Sequence, residues 1–168
     1  PLTRMVKEIA ETGTNTAKAH YNANGWVTHH NTDPWRATAP IDGAFWGMWP
    51  LGGAWLTTHL WEHFLFTLDT NYLADVYPPM RGASQSFLDT LVADPANTNW
   101  LVTNPSISPE NAHPYGSSVC AGPTMDMSIL RDLFSQTAQA AQLLGVDASL
   151  QTQLTNACAR LVPFKIGA

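Results

Sequence analysis

Three short runs of residues carry side chains able to do chemistry. His59-Leu60-Trp61-Glu62-His63 reads as H-x-x-E-H, two imidazoles one helical turn apart, the spacing with which a helix presents two zinc ligands and a base. Such a site needs a third, acidic ligand from a later helix, and Glu110 follows a proline in a loop. The same histidines fall on an apolar stripe with Trp55, Leu56 and Phe64, so satisfied core histidines are the plainer reading. His29-His30-Asn31-Thr32-Asp33-Pro34-Trp35-Arg36 supplies imidazole, amide, carboxylate and guanidinium, the donors and acceptors that grip hydroxyls, with Trp26, Trp35 and Trp46 flanking it. A loop tied down by its own polar side chains has the same composition. Thr103-Asn104-Pro105-Ser106-Ile107-Ser108-Pro109-Glu110-Asn111 holds a lone carboxyl behind a proline, with His113 close in sequence. A general acid must stay protonated near neutral pH, which asks for a rigid, partly desolvated carboxyl. A surface glutamate satisfies the same pattern.

The elements that position these runs are helices. Leu2, Met5, Val6, Ile9 and Ala10 recur at helical spacing, a pattern that extends to about Tyr21, with Gly25 as an expected left-handed cap. Trp26 to Gly43 is a long ordered loop. Helical spacing returns from about Gly53 to Leu68, and again from about Tyr72 to Val92, where Pro78-Pro79 predicts a bend. Asp94 to Pro123 is a second long loop, with Trp100-Leu101-Val102-Thr103 as a short strand. Met125, Ile129, Leu133, Ala140 and Leu144 mark a further helix, opened by Thr124 and closed by Gly145, and Asp147 is expected to cap the last one, which runs to about Leu161. The fold class is therefore all-α, with roughly five helices and no alternating pattern to support a sheet. Long loops on alternate connections are how a ring of paired helices gathers a site at one end, so Glu110 is expected near Asp33 and Trp46.

Composition narrows the function classes. Eight Lys and Arg against thirteen Asp and Glu give a net charge of −5 with no basic cluster, which excludes nucleic acid as a partner. Charged residues make up 12% and apolar ones 45%, the balance of a packed domain rather than a disordered chain. The longest uncharged stretch, Gly43 to Trp61, carries a proline, glycines and His59, so no membrane span is expected. Seven Trp, four Tyr and six Phe fit a large core or a cleft where flat rings stack on sugars. Cys120 and Cys158 can form one disulfide or sit as small buried hydrophobes. The chain opens as though in mid-helix, so a larger parent protein is expected.

The strings His29 to Arg36, Ala39-Pro40, Trp46-Gly47-Met48-Trp49-Pro50-Leu51-Gly52-Gly53-Ala54-Trp55-Leu56 and His59-Leu60-Trp61-Glu62-His63 closely resemble glycoside hydrolase family 95. So do Ser106-Ile107-Ser108-Pro109-Glu110-Asn111, Thr124-Met125-Asp126-Met127 and Lys165-Ile166-Gly167, and the blocks come in the family's order over nearly the whole chain. The resemblance implies an inverting α-L-fucosidase, or an α-L-galactosidase, whose catalytic domain is an (α/α)6 barrel. Residues 1–168 would form roughly half of that barrel, and H-x-x-E-H becomes one of its structural helices rather than a metal site.

The resemblance also distributes roles. The Glu of the Ser-Pro-Glu-Asn block maps onto Glu110 as general acid. His30, Asn31, Asp33, Trp35, Trp46 and Asn111 are the expected sugar contacts, with no cofactor and no metal. The family orients its water with an Asn-x-Asn pair backed by an Asp. The Asn-x-Asn strings here, Asn22-Ala23-Asn24 and Asn97-Thr98-Asn99, lie in other blocks. The expected partners are a fucosylated glycan and the remaining segments of the domain, in a secreted or extracellular setting. Two other readings stand beside this one: a zinc peptidase and a non-catalytic sugar-binding helical piece.

Overall fold

The computed structural model describes residues 1–164; the Lys165-Ile166-Gly167 block lies outside them. The described residues form six helices: α1 (Leu2–Tyr21), α2 (Ala44–Gly47), α3 (Gly52–Thr67), α4 (Thr70–Thr90), α5 (Thr124–Leu144) and α6 (Ala148–Arg160). Four short strands lie between α4 and α5: β1 (Val92–Asp94), β2 (Asn97–Val102), β3 (Ser106–Ile107) and β4 (Val119–Cys120). The molecule is mostly helical. The strands add two antiparallel pairs, β1 with β2 and β3 with β4; the strand expected at Trp100-Leu101-Val102-Thr103 falls largely within β2, while its partner and the second pair were not expected. Pairs this short are set by how the loop folds back on itself, not by hydrophobic periodicity.

Helix α4 packs on α1, α3 and α5, and α5 also packs on α3 and α6. The shared core includes Ile9, Leu60, Leu73, Met80, Leu130, Leu133, Phe134 and Leu154, all fully buried. A buried hydrogen bond from Ser84 Oγ to Thr137 Oγ1, 2.9 Å, fixes α4 against α5. The Arg131 guanidinium on α5 donates to the carbonyls of Cys158, Leu161 and Val162, satisfying groups at the end of α6 that the helix cannot.

Trp26 shows why the first loop enters where it does. Its indole is almost fully buried and donates from Nε1 to the Pro79 carbonyl at 2.8 Å. The ring fits because glycines face it from three helices: a Cβ on Gly53 would stand 2.5 Å from the ring, one on Gly82 2.7 Å, and one on Gly13 3.2 Å. Ser86 Oγ donates to the Trp26 carbonyl and holds the backbone at the same place.

Several local expectations are corrected. Asn22, not Gly25, is the left-handed cap of α1 (φ 50°), with the Ala23 amide returning to the Ala17 carbonyl. Gly25 (φ 70°) is needed because its backbone runs against α4, where a Cβ would meet the Gly82 carbonyl at 1.9 Å. Pro78 and Pro79 lie inside one continuous α4. The carbonyls their missing amides would have served belong to Ala74 and Asp75, which are exposed to water. Thr124 makes no side-chain cap, and neither does Asp147. Asp147 Oδ2 instead accepts from Tyr77 Oη at 2.9 Å and pairs with Arg81 Nε at 2.8 Å, tying the α5–α6 turn to α4. Cys120 and Cys158 are free, half-buried thiols.

Helix α3 carries a further correction. Its packed face is Ala54, Thr57, Leu60, Trp61 and Phe64. His59 and His63 lie beside that face and not in it: His59 is half-buried with Nδ1 3.8 Å from Glu62 Oε2, and His63 is exposed against the Tyr72 ring. They are not core histidines. The strip from Trp55 through His59 is the neighbouring ridge, one step around the helix from the buried one.

Candidate functional site

Both long loops are anchored at the same end of the helices. The first leaves the C-terminus of α1 and enters the N-terminus of α3. The second leaves the C-terminus of α4 and enters the N-terminus of α5. They meet around a gap of about 30 Å³ lined by Tyr21, Val27 and Pro50 on one side and Thr103, Asn104 and Pro105 on the other.

The first loop is held rigidly at its base. The Thr28 carbonyl accepts from the Gly53 amide at 3.2 Å, joining the loop to the start of α3. His29 is fully buried, and its Nδ1 stands 2.8 Å from the Thr38 carbonyl, an atom that can only accept. Nδ1 therefore carries the proton, and Nε2 accepts from Tyr21 Oη at 2.6 Å. Burial pushes the His29 pKa down and that of Tyr21 up to about 12, so both stay neutral at ordinary pH. Arg36 pairs with Glu8 on α1 at 2.8 Å, and hydrogen bonds from Arg4 and Arg36 hold the Glu8 carboxyl below its usual range.

Above that base lies a cavity of about 300 Å³ lined by Thr28, His30, Asn31, Thr32, Trp49 and Trp55. Its chemistry is two-sided. Trp49 and Trp55 present indole rings 6.2 Å apart and steeply tilted. Thr28 Oγ1, His30 Nδ1 and Thr32 Oγ1 are buried without a hydrogen-bond partner, a debt that buried polar groups ordinarily settle. His30 Nε2 lies 3.3 Å from Asp42 Oδ2, which orients the ring. Rings beside unpartnered donors and acceptors suit a small polyhydroxylated ligand with apolar C–H faces.

The other sequence-nominated residues are not in this cavity's lining. Asp33 is occupied within the loop: Oδ1 accepts from the amides of Trp35 (2.9 Å) and Ala37 (3.0 Å), an Asx-type turn. Trp35 is 83% exposed at the tip, and Trp46 on α2 is 46% exposed with its ring edge-on to Phe45. Glu110 occupies an exposed turn closed by the Asn111 amide on the Ser108 carbonyl at 2.7 Å, and Asn111 is exposed as well. Beyond them a tight turn carries Tyr115, 90% exposed. Among the described residues no three His, Cys, Asp or Glu side chains converge to hold a metal ion.

One residue that the sequence reading left without a role sits at the junction of the loops. Asp126, in the first turn of α5, is fully buried. Its Oδ1 accepts from Trp49 Nε1 at 2.9 Å and its Oδ2 from Thr103 Oγ1 at 2.6 Å, so one carboxylate grips the end of the first loop and the start of the second. The buried Ser106 hydroxyl lies beside it, lacking a partner of good geometry. Burial raises the Asp126 pKa to about 6 against the lowering effect of these three donors. A signal was present in the sequence: a single acid flanked by Met125, Met127, Ile129 and Leu130 on a core helix.

Residues 1–168 match the glycosyl hydrolase family 95 catalytic domain along their whole length. The chain belongs to this family. It is similar to alpha-L-fucosidase 2 of Arabidopsis thaliana, 38% identical over 173 residues covering 99% of this chain and 20% of that protein. It is also similar to probable alpha-fucosidase A of Aspergillus niger, 32% identical over 165 residues covering 96% of the chain and 21% of that protein. The family 95 chain thus spans about a fifth of the length of these curated relatives. No described helix is long and apolar enough to cross a membrane.

Proposed function

We propose that this chain supplies the acid-bearing part of a glycosidase that removes terminal α-L-fucose, or the related α-L-galactose, with inversion. Glu110 is the general acid: it protonates the departing oxygen while water attacks the opposite face of the sugar. The observation that carries the reading is the convergence of two loops at one end of the helices. One bears Glu110, and the other bears a cavity with tryptophan walls and unpartnered polar atoms. A pyranose stacks its C–H face on Trp49 or Trp55 and offers hydroxyls to His30, Asn31 and the two threonines. Trp35, Trp46, Asp33 and Asn111 line the approach to it.

In this reading the six helices are roughly half of an (α/α)6 barrel. Exposed apolar side chains support that: Phe66 (85% exposed), Leu65 and Leu68 end α3 in a patch of the kind that further helices cover. Those remaining segments bring the water-orienting residues and close over Glu110, giving its carboxyl the dry setting a proton donor at neutral pH requires. Supplying sugar contacts without chemistry is the alternative, and one experiment separates the two. In the full-length protein, Glu110→Gln keeps the shape of the side chain and removes the donor. Hydrolysis of natural fucosides, which have poor leaving groups, should fall by at least about 10²-fold, and hydrolysis of fucosyl fluoride far less. Equal losses on both substrates overturn the acid assignment. Proton NMR of the first-formed anomer tests inversion, and retention refutes it.

A further inference from the structure

The acid's loop is held from beneath by a buried group that touches no substrate-facing surface. Glu110 lies seven positions beyond Thr103, the residue on Asp126, and its turn is pinned on both sides: before it at Thr103 and Ser106, and after it where Cys120 pairs with Ser106. On the other side the same carboxylate holds Trp49, a wall of the sugar cavity. Two donors, the Trp49 indole and the Thr103 hydroxyl, bond this carboxylate, and the Ser106 hydroxyl lies beside it, all with almost no exposure to water. A carboxylate accepts on both oxygens and donates nothing, so it satisfies both without reversing either. Position on α5 reinforces this: an acid in the first turn of a long helix faces the positive end of the backbone dipole.

We propose that Asp126 is a positioning residue that sets the Glu110 loop in register with the tryptophan-walled sugar cavity, by bonding Thr103 of the one and Trp49 of the other. It acts through those neighbours and does not itself meet the sugar. The inference rests on Glu110 being the general acid. Loosening the tie leaves the sugar bound and displaces the proton donor, and a displacement near 1 Å costs up to about 10²-fold in rate. The loss therefore falls on kcat for substrates that need protonation.

The test uses the full-length protein, with Asp126→Ala, Asp126→Asn, Thr103→Val and Glu110→Gln measured side by side on a fucoside with a poor leaving group and on fucosyl fluoride. Thr103→Val cuts only the tie to the second loop and preserves side-chain shape, so it decides the matter if Asp126→Ala fails to fold. The expected result for Thr103→Val is a kcat about tenfold lower on the poor leaving group, KM within about twofold, and a nearly unchanged rate on the fluoride. Asp126→Ala frees Trp49 as well, so it should show a larger leaving-group-dependent loss of kcat together with a raised KM. Asp126→Asn, whose oxygen still accepts from Trp49 while its amide meets Thr103, should recover most of the loss. A merely structural role lowers the folded fraction and leaves the ratio between the two substrates as it was. If Glu110→Gln shows the leaving-group dependence while Thr103→Val and Asp126→Ala keep the unmodified protein's ratio, the role of Asp126 is refuted and Glu110 stands. If Glu110→Gln itself shows no such dependence, the acid reading fails and the positioning role falls with it.

Discussion

Replacing Asp126 by Asn should make the protein more stable near neutral pH and leave it little changed at pH 4. Burial raises the carboxyl to about 6 from its ordinary 3.8, so between those values the folded state binds a proton that the unfolded chain has released. Stability then falls as pH rises through this window and stays low above it. The gap corresponds to about 3 kcal/mol at neutral pH, a penalty that Asn, which never ionises, does not incur. Its amide keeps the bond from Trp49 Nε1 and donates to Thr103 Oγ1, so the hydrogen-bond change is a constant offset, independent of pH. His29 titrates with the opposite sense: its lowered pKa makes the folded state take up fewer protons below about 6.5, so stability falls as pH falls. Burial raises the neighbouring Cys120 thiol above 9, outside the window. The His29 effect is common to the two proteins and cancels in the difference. Urea midpoints of the unmodified and Asp126→Asn full-length proteins at pH 4, 5, 6 and 7 should diverge with rising pH, Asn gaining at the upper end. Parallel curves across the range would show that Asp126 ionises as freely folded as unfolded, and the buried tie would be wrong.

Other substitutions probe the scaffold and the cavity. Gly53→Ala places a methyl 2.5 Å from the Trp26 ring and should cost about 1–3 kcal/mol, read as a lowered thermal midpoint; an unchanged midpoint would mean the indole sits elsewhere. Tyr21→Phe strips the buried His29 Nε2 of its partner and should cost about 1–3 kcal/mol in chemical denaturation; an unchanged midpoint would mean that this bond is not made. Trp35→Ala, at a position 83% exposed, should leave stability within about 0.5 kcal/mol and raise KM for fucosides several-fold. An unchanged KM removes Trp35 from the sugar path.

How much of this was legible depends on which forces set each element. Helices α1, α4 and α5 announce themselves because their apolar residues repeat at the helical period and burial follows that period. The face of α3 was misjudged by one ridge. His59 and His63 share the spacing of a buried stripe, but the stripe that packs runs through Ala54, Thr57, Leu60, Trp61 and Phe64, and a helix apolar nearly all round gives its period little power to choose. The caps failed for a different reason. Asp147 has the composition of a helix start, yet Tyr77 and Arg81, 70 and 66 positions earlier in the sequence, claim its carboxylate. Local rules describe what a side chain does when nothing distant competes for it.

The site shows the same division at higher stakes. His30 and Asn31 stood out in sequence because a dense polar loop between tryptophans is rare in a chain so poor in charge, and they do line the cavity. Asp33, from the same string, satisfies backbone amides instead, because an Asp two residues before an amide folds onto it whether or not a ligand is near. Asp126 reads in sequence as an ordinary acid at the start of a helix, and its role appears only once Trp49, 77 residues away, and Thr103, 23 away, are brought to it. Ionised, it sits where water is excluded and costs the fold stability that a neutral side chain of the same shape would keep. A buried group held at that cost, bonding both loops of a catalytic-domain site, is one whose value lies in where it puts its neighbours.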